Sequence, residues 1–339
     1  MEFPKIAIVV PFFGKFNNYF PLWLRSCGNN PSFTWIIFTD DKSRYSFPSN
    51  VLVHYCNQAD INLLIKQTLG EDISLIRPHK LCDFKVLYGT IFSNWLKDYD
   101  YWGYCDVDVI FGDLKKFITI ERLTENKKIF SLGHLSIIPN TNEINESIKK
   151  FSLSSDVKEQ ILLNPHTTLF DEWYGTINVN QLFVSNQWTI SEDEGEISDV
   201  YVGSSDFLLT RWNPITDWFQ VFKGPCLFQW SEDFGLLRYQ LINNNIQVSD
   251  SCYIHLKERQ MEVHNLSSQK RLENAPVVGI FPHGLYLFEE KQDIDSTWFT
   301  RYNEGFFRFI QRRGKKRWRN GIYRIKLKLG FFKHQRLTK

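Results

Sequence analysis

The sequence predicts an α/β fold in which helices cover a mixed central sheet. The first observation is a continuous apolar run at residues 5–13, which is typical of a buried parallel strand. A helical pattern follows at residues 19–28, and a second strand at residues 33–38 ends in Thr39, Asp40 and Asp41. A third strand at residues 51–55 precedes a short helix at residues 61–69. This alternation of strands and helices is the signature of α/β sheets.

Composition limits the class of protein. The 339 residues suit one large domain or one domain with an extension, and 43% hydrophobic residues are enough for a core. A net charge of only +2 argues against a chain that binds nucleic acid through its overall charge. Six scattered cysteines without a metal-binding spacing, and no signal peptide, predict a reducing cytoplasm. No apolar run reaches the length of a membrane span.

Two carboxylates directly follow a predicted strand at residues 101–105. Asp106 and Asp108 lie one residue apart, and buried carboxylates are costly unless a cation meets them. A hard divalent cation, with phosphate completing its shell, would satisfy this pair. The same spacing recurs at residues 98–100 and 293–295, so a solvated turn is an equal alternative on spacing alone.

The segment before this strand predicts which residues share its edge. Apolar residues recur at helical spacing over residues 80–97. In a right-handed α/β unit such a helix begins at the edge where the strands end. Lys80 and Asp83 are three residues apart and would share one face of the first turn. The sequence therefore predicts a cation and a carboxylate near Asp106 and Asp108.

A strand predicted at residues 251–259 offers side chains that could complement Asp106 and Asp108 in binding a metal ion and a diphosphate. With a period of two, Tyr253, His255, Lys257 and Arg259 would share one face. One possible metal ligand and two cations on one face would suit a metal-bound diphosphate. This pattern favours a functional role for His255 over a purely structural one.

Two further acidic segments receive different interpretations. Glu232 and Asp233 are predicted to begin a helix within residues 228–241, either as ordinary N-terminal acids or with one acting as a general base. Residues 191–199 are predicted to form a solvated acidic loop without chemistry.

The end of the chain is basic and aromatic. Residues 306–339 mix Lys and Arg with aromatic and aliphatic residues and contain no Asp or Glu. This pattern favours an amphipathic helix bound to anionic lipid, with a basic solvated tail or an RNA-binding arm as alternatives. The predicted organisation is a catalytic domain at 1–262, an extension packed on it at 263–303, and the basic tail at 304–339.

Several motifs, taken together and in order, carry a family resemblance. They are IAIVVPFFGKFNNYFPLWLRSC, FTDD, KLCDFKVLYG, YCDVDVIFGDL and YIHLKERQM, which span roughly residues 5–262. The set resembles bacterial GT-A glycosyltransferases associated with capsular polysaccharide and O-antigen clusters. The WSEDFGLLR run separately looks like the Glu-Asp segment of inverting GT-A enzymes. The resemblance implies a GT-A, Rossmann-like, nucleotide-sugar-binding fold with a mixed central sheet, followed by a basic C-terminal helical extension.

The resemblance also implies roles for individual residues. Mn²⁺ or Mg²⁺ would be held by Asp106, Asp108 and His255, with Asp106 shared with the donor ribose. The diphosphate would face Lys257, Arg259 and Lys80. The nucleoside would be held by Pro11, Phe12, Asp40 and Asp83. Asp233, or else Glu232, would deprotonate the acceptor hydroxyl.

The leading functional hypothesis is therefore a metal-dependent hexosyltransferase. It would move a hexose from a UDP-sugar to an oligosaccharide, expected to be lipid-linked, at the inner face of the plasma membrane, with no nucleic acid as partner. One alternative is a nucleotidyltransferase or nucleotide-sugar phosphohydrolase on a similar sheet. The other is a non-catalytic protein that binds glycan or RNA.

Overall fold

The structure is a computed structural model. It describes residues 2–75, 77–172, 176–192, 195–200, 206–213, 218–257, 259, 261–265, 271–282 and 284–301. Within these residues the predicted α/β fold with a mixed sheet is confirmed. The predicted tail at 304–339 lies outside the described residues.

Among the described residues, the first sheet has seven strands in the order β3-β2-β1-β4-β7-β6-β8, with strands numbered along the chain. Its strands are β1 (Ile6–Phe12), β2 (Phe33–Thr39), β3 (Val51–Tyr55), β4 (Tyr101–Cys105), β6 (Lys128–Ile129), β7 (Leu135–Pro139) and β8 (Ile190–Ser191). Strands β3, β2, β1 and β4 run parallel, whereas β7 pairs antiparallel with β4. The sheet is therefore mixed, and β1, β2 and β4 end at one common edge.

The second sheet is largely antiparallel and continues to the C-terminal part of the described chain. Its strands are β5 (Val109–Phe111), β9 (Ile197–Val200), β10 (Phe207–Asn213), β11 (Trp218–Ser231), β12 (Gly235–Ile242), β13 (Asn245–Asp250), β14 (Tyr253–His255), β15 (Glu262–Asn265), β16 (Val277–Phe281) and β17 (Gly284–Phe288). Since β16 pairs with β11, residues on both sides of the predicted boundary at 262 join one sheet. The division of the chain at that position stays a prediction.

Helices cover these sheets. The α-helices are α1 (Phe20–Gly28), α2 (Gln58–Leu69), α3 (Tyr88–Ile91), α4 (Ile120–Glu125), α5 (Asn142–Ser152), α6 (Ser155–Val157), α7 (Val179–Ser185) and α8 (Ser296–Arg301). Turns of 3₁₀ helix cover Pro78–Leu87, Ser93–Trp95 and Leu114–Lys116, and Lys158–Leu162 is π-helical. Within the described ranges, no helix combines the length and the apolar character needed to cross a bilayer.

The alternation of side chains along β1 explains how the first sheet is covered on both faces. Ile6, Ile8 and Val10 belong to one hydrophobic core, and Ala7 and Val9 belong to another. Successive strand residues point to opposite faces, so one strand contributes to two cores. This arrangement accounts for a continuous apolar run rather than an alternating one.

The chain passes from the first sheet to the second through Asp106, Val107 and Asp108. Strand β4 ends at Cys105 in the first sheet, and β5 begins at Val109 in the second. Asn30 fixes the far end of β5, because its buried amide donates to the Gly112 carbonyl and accepts from the Leu114 N–H, each at 2.8 Å. The strand that follows the short link is therefore fixed at its far end.

Several predicted elements are wrong in type. The helix expected over 80–97 is mostly 3₁₀ and is broken into three pieces. The helix expected over 228–241 is instead the hairpin formed by β11 and β12. The expected loop at 191–199 contains the start of β9, whose described residues are buried.

Candidate functional site

The Asp106–Asp108 link lies at the carboxyl end of β4 and is held through its backbone. The indole N–H of Trp23 donates to the Asp106 carbonyl at 3.2 Å, and Asp106 N–H donates to the His134 carbonyl at 3.1 Å. The side-chain amide of Asn17 donates to the Val107 carbonyl at 3.4 Å. Because these groups hold the main chain, the two carboxylates are left to face the neighbouring cleft.

Strand β14 brings His255 to these carboxylates. It pairs antiparallel with β5, which places His255 opposite Val109, and the Leu256 N–H donates to the Asp108 carbonyl at 2.9 Å. The His255 Nε2 atom is 3.5 Å from Asp108 Oδ2. One ligand atom each from Asp106, Asp108 and His255 lie within 4.8 Å of one another.

The second nitrogen of His255 faces a different carboxylate. Its Nδ1 atom lies 3.1 Å from Asp199 Oδ1, and Lys257 Nζ lies 2.9 Å from Asp199 Oδ2. Burial would lower the pKa of His255, but Asp108 and Asp199 together raise it to about 10. Burial would raise the pKa of Asp199, but His255 and Lys257 hold it well below its usual range.

His134 completes this cluster, because its ring packs against the His255 ring. The two ring centroids are 3.8 Å apart, with 31° between the ring planes. Burial lowers the pKa of His134 well below its usual value, and the positive charge of His255 lowers it further. His134 therefore packs on His255 as a neutral ring.

The donor set fits a hard divalent cation. Two carboxylates and one imidazole converge on one point, and Asp108 and His255 are largely buried there. Carboxylate oxygen with imidazole nitrogen suits Mn²⁺ and, with fewer protein ligands and more water, Mg²⁺. Asp106, Asp108 and His255 are the residues that would hold such an ion.

These three residues, called the metal-binding group for this candidate role, lie on the wall of a cavity of about 1150 Å³. Such a volume is large enough for a nucleotide-sized ligand. The charged and histidine side chains that line it are Lys15, His79, Lys85, Asp106, Asp108, Asp171, Glu172, His255, Lys257, Arg259 and Glu262. Pro11 and Phe12, at the end of β1, also line it.

Lys85 is the cation that sequence reasoning missed. Its Nζ atom is 2.7 Å from Asp106 Oδ1 and 3.1 Å from Asp171 Oδ2, and it donates to the Gly133 carbonyl at 3.0 Å. Burial would lower its pKa, but Asp106 and Asp171 raise the pKa well above the usual lysine value. Lys85 therefore carries a positive charge between the metal-binding pair and a second acid.

Asp171 and Glu172 are two further cleft carboxylates that the sequence did not single out. Both are buried, and they press against Gly133, where an added Cβ would lie 2.1 Å from Asp171 Oδ2 and 2.9 Å from Glu172 Oε1. Burial raises the pKa of Asp171, the negative charge of Asp106 adds to this, and Lys85 opposes it. Asp171 Oδ1 accepts no hydrogen bond from any described residue.

Five of the predicted nucleotide-binding residues line this cavity, namely Pro11, Phe12, Asp106, Lys257 and Arg259. The strand predicted over residues 251–259 is shorter, because β14 ends at His255. Lys257 and Arg259 therefore reach the cavity from the segment after the strand and not from one face of it. Lys257 then adopts a positive φ of 52°, and the Arg259 guanidinium lies over the Phe207 ring at 5.0 Å.

Lys80 and Asp83 do not line the cavity, contrary to prediction. They form a fully buried ion pair at 2.6 Å, and Lys80 also donates to the carbonyls of Ile161 and His166. Asp83 accepts from the Thr168 N–H and side chain. The pair therefore anchors the segment that leads to Asp171. Because residues 78–87 form a 3₁₀ helix rather than an α-helix, other side chains of this segment face the cavity.

Asp40 also lies outside the cavity lining. It is exposed and accepts a hydrogen bond from the Gly14 N–H at 2.7 Å, which stabilises the turn after β1. Its neighbour Asp41 is buried and accepts from Ser43 and Tyr45. Neither the predicted acid nor its neighbour reaches the metal-binding group.

Glu232 and Asp233 are not brought to the cleft either. They occupy the tight turn between β11 and β12, where Gly235 has a φ of 70°. Glu232 is bound by Arg25 at 3.0 Å and lines a separate cavity of about 420 Å³. The turn packs near Asp113, at the end of β5 away from Asp108. Neither Glu232 nor Asp233, the predicted general bases, therefore lines the cavity beside Asp106 and Asp108.

One sequence signal could have found Lys85. Cys82, Lys85 and Tyr88 are three residues apart, and all three line the cavity. A period of three is that of a 3₁₀ helix, in which such residues lie on one face. The α-helical period predicted for this segment instead places Lys80 at the edge of the sheet.

Lys128 is a second buried lysine near the acids of the cleft wall. Its Nζ atom donates to the Phe130 carbonyl at 2.8 Å. Burial lowers its pKa from 10.5 to about 8, although Glu192, Asp171 and Glu172 act in the opposite direction. The folded chain therefore loses this proton more easily than the unfolded chain.

We expect Lys128→Met to remove a pH dependence of stability. Between pH values of about 8 and 10.5, the unfolded chain holds a proton that the folded chain has lost. Wild-type unfolding free energy should therefore gain up to about 1.4 kcal/mol per pH unit from Lys128 there. Below this range the cost of burying the charge is present in full. Urea unfolding at several pH values measures the slope, with exposed Lys127→Met as the control. Equal slopes in wild type and Lys128→Met would contradict this account.

Comparison with known proteins gives one family match and weak structural likenesses. No curated protein matches the sequence. The chain is similar to galactosyltransferase LgtC in complex with donor and acceptor sugar analogs, at 12% identity and a TM-score of 0.36, over 57% of this chain and 75% of that one. It is also similar to glycosyltransferase GlyE of Streptococcus pneumoniae TIGR4, at 13% identity and a TM-score of 0.33, over 57% of this chain and 46% of that one.

Nothing about activity follows from structural likenesses this weak. The family model, in contrast, matches residues 8–285, which include most of both sheets and every residue of the metal-binding group. The chain therefore belongs to DUF6625, a family of unknown function.

Proposed function

We propose that this chain is a metal-dependent glycosyltransferase that uses a nucleotide-sugar donor, with a UDP-hexose as the expected form. The observation that carries the proposal is the convergence of Asp106, Asp108 and His255 on the wall of a nucleotide-sized cavity. Such a group can bind the ion that accompanies a diphosphate. The family resemblance of the motifs around these residues supports the same reaction.

The cations of the cleft suit the leaving group. Lys257 and Arg259 line the cavity beside the metal-binding group, and both can neutralise charge that grows on a departing nucleoside diphosphate. A bound Mn²⁺ or Mg²⁺ would supply further charge stabilisation at the same place. Pro11 and Phe12 offer an apolar wall for the nucleoside. Lys80, Asp40 and Asp83 have no part in this proposal.

Asp108→Asn should weaken Mn²⁺ binding more than about tenfold, because the ion loses one of its two anionic ligands. Isothermal titration calorimetry on the full chain measures the affinity, and transfer from a UDP-sugar should fail both in the variant and after treatment with EDTA. Asp113→Asn is the matched control, because it removes the same charge at the other end of β5.

Unchanged Mn²⁺ affinity and turnover in Asp108→Asn would contradict the proposed role of this residue. The released product separates the competing reactions. A glycosyltransferase releases UDP, whereas a phosphohydrolase or nucleotidyltransferase releases UMP or pyrophosphate. A non-catalytic glycan- or RNA-binding protein would bind its ligand without releasing either product.

Asp171 takes the place of Asp233 as the proposed general base. It lines the donor cleft, its pKa is raised by burial, and its Oδ1 atom accepts no hydrogen bond from any described residue. In a direct displacement, the acceptor hydroxyl would lose its proton to Asp171 as its oxygen bonds to the anomeric carbon. The bond from that carbon to the diphosphate would break, with inversion.

Asp171→Asn should lower transfer by about 100-fold or more, because an amide cannot take the acceptor proton. Mn²⁺ affinity should change little, which calorimetry can check alongside turnover. Glu232→Gln and Asp233→Asn should keep wild-type turnover, because both residues lie outside the cleft. The opposite pattern, with Asp171 dispensable and Asp233 required, would overturn this assignment.

The acceptor and the cellular setting stay predictions. A lipid-linked oligosaccharide, a role in surface polysaccharide synthesis and attachment to the inner membrane face were inferred from the family resemblance and from residues 304–339. The basic tail lies outside the described residues. A liposome-binding comparison of the full chain with one ending at Glu304 addresses the attachment directly.

A further inference from the structure

A buried carboxylate next to the metal-binding group has no role in the proposed reaction. Asp199 is 2% exposed and lies on β9, which runs parallel to β14. The register places Asp199 directly beside His255. A buried aspartate is costly unless it is fully paired, so its partners indicate what it does.

Each oxygen of Asp199 has its own partner. Oδ1 lies 3.1 Å from His255 Nδ1, and Oδ2 lies 2.9 Å from Lys257 Nζ and 3.1 Å from the Thr210 hydroxyl. The Thr210 hydroxyl also donates to the Asp199 carbonyl at 2.8 Å. Thr210 therefore fixes the carboxylate, and the carboxylate in turn contacts two cleft residues.

The contact with His255 determines which ring nitrogen can bind a metal. When a metal ion displaces the proton from one ring nitrogen, the imidazole keeps its other proton, and a carboxylate at Nδ1 holds that remaining proton there. Nε2 is then left with its lone pair, and Nε2 is the atom that faces Asp108 at 3.5 Å. Metal-binding histidines commonly donate their other N–H to a carboxylate in this way.

The contact with Lys257 has a second effect. Lys257 has a φ of 52°, a region that non-glycine residues seldom occupy and that persists only where the surroundings hold it. The ion pair to Asp199 is one such restraint. It keeps the ammonium on the cavity wall and directs it to Asp199 rather than to the carboxylates of Asp106 and Asp108.

We propose that Asp199 is the positioning residue of the metal site, which fixes the ring and tautomer of His255 and the place of Lys257. This inference rests on the proposed function, since it assigns Asp199 to the same metal site. Asp199 does not itself touch the metal or the donor. It acts through His255 and through Lys257.

Another arrangement of the same residues is possible on distance alone. His134, Asp199 and His255 also offer ligand atoms within 4.8 Å of one another. The Lys257 ammonium, however, already pairs with the Asp199 carboxylate at 2.9 Å, and a second cation there would meet like charge.

The test compares Asp199→Ala with Asp199→Asn in the full chain. The alanine variant removes the hydrogen-bond acceptor, so Mn²⁺ affinity should fall about 10- to 100-fold. The asparagine variant keeps an oxygen that accepts from Nδ1–H, so it should recover most of that loss. Asp250→Asn, at an exposed ion pair with Lys116, is the matched control. Calorimetry with Mn²⁺ alone gives the affinities without any need for turnover.

A second measurement reads the tautomer itself. Nitrogen-15 NMR of labelled histidines in the Mg²⁺-loaded chain should show a proton on Nδ1 of His255, with His255→Gln identifying the signal. This proton should persist in Asp199→Asn and be lost or mixed between nitrogens in Asp199→Ala. Thermal unfolding without metal, similar to that of wild type, shows that each variant is folded.

The outcomes separate the inference from the proposed function. Wild-type Mn²⁺ affinity and an unchanged tautomer in Asp199→Ala would overturn the positioning role alone. Absence of Mn²⁺ binding in the wild type would overturn the proposed metal site. Loss of binding in Asp199→Asn but not in Asp108→Asn would overturn the inference in favour of a site formed by His134, Asp199 and His255.

Discussion

The pairing of β5 with β14 is the constraint on which the site depends. Three residue pairs join these strands, from Val109 with His255 to Phe111 with Tyr253, and all of β5 is buried. This pairing brings His255 to Asp108 although the two lie far apart in the sequence. The link carrying Asp106 and Asp108 joins β4 of the first sheet to β5 of the second. The pairing of β5 with β14 therefore anchors the second-sheet side of that link. The metal-binding group therefore forms only where both sheets are assembled.

Charge inside the fold is arranged in connected pairs. Lys85 joins Asp106 to Asp171, and the Lys80–Asp83 pair holds the segment that carries Asp171. A buried ion pair adds little net stability, but loss of one partner leaves the other charge uncompensated, which costs about 3–5 kcal/mol. These pairs thus serve mainly to fix positions. They hold the acidic wall of the cleft at a set distance from the metal-binding carboxylates.

Sequence reasoning succeeded where the signal was local. The strands β1, β2 and β4 and the place of Asp106 and Asp108 followed from apolar runs, which sequence alone displays. It failed where distant pairing decides, as at residues 228–241, whose apolar residues fit either a helix or a hairpin. Asp199 falls in an acidic stretch that the sequence predicts to be a solvated loop, because nothing in that stretch reveals its pairing with His255. Lys85 was missed because its period is three rather than 3.6.

The central claim is that Asp106, Asp108 and His255 form a metal site that holds a nucleoside diphosphate. A crystal structure with Mn²⁺ and UDP, with the ion located by its anomalous scattering, tests it most directly. We expect an anomalous peak bonded to at least two of these three side chains, with the diphosphate between that peak and Lys257 or Arg259. A peak elsewhere, or UDP bound in the separate cavity beside Glu232, would contradict it.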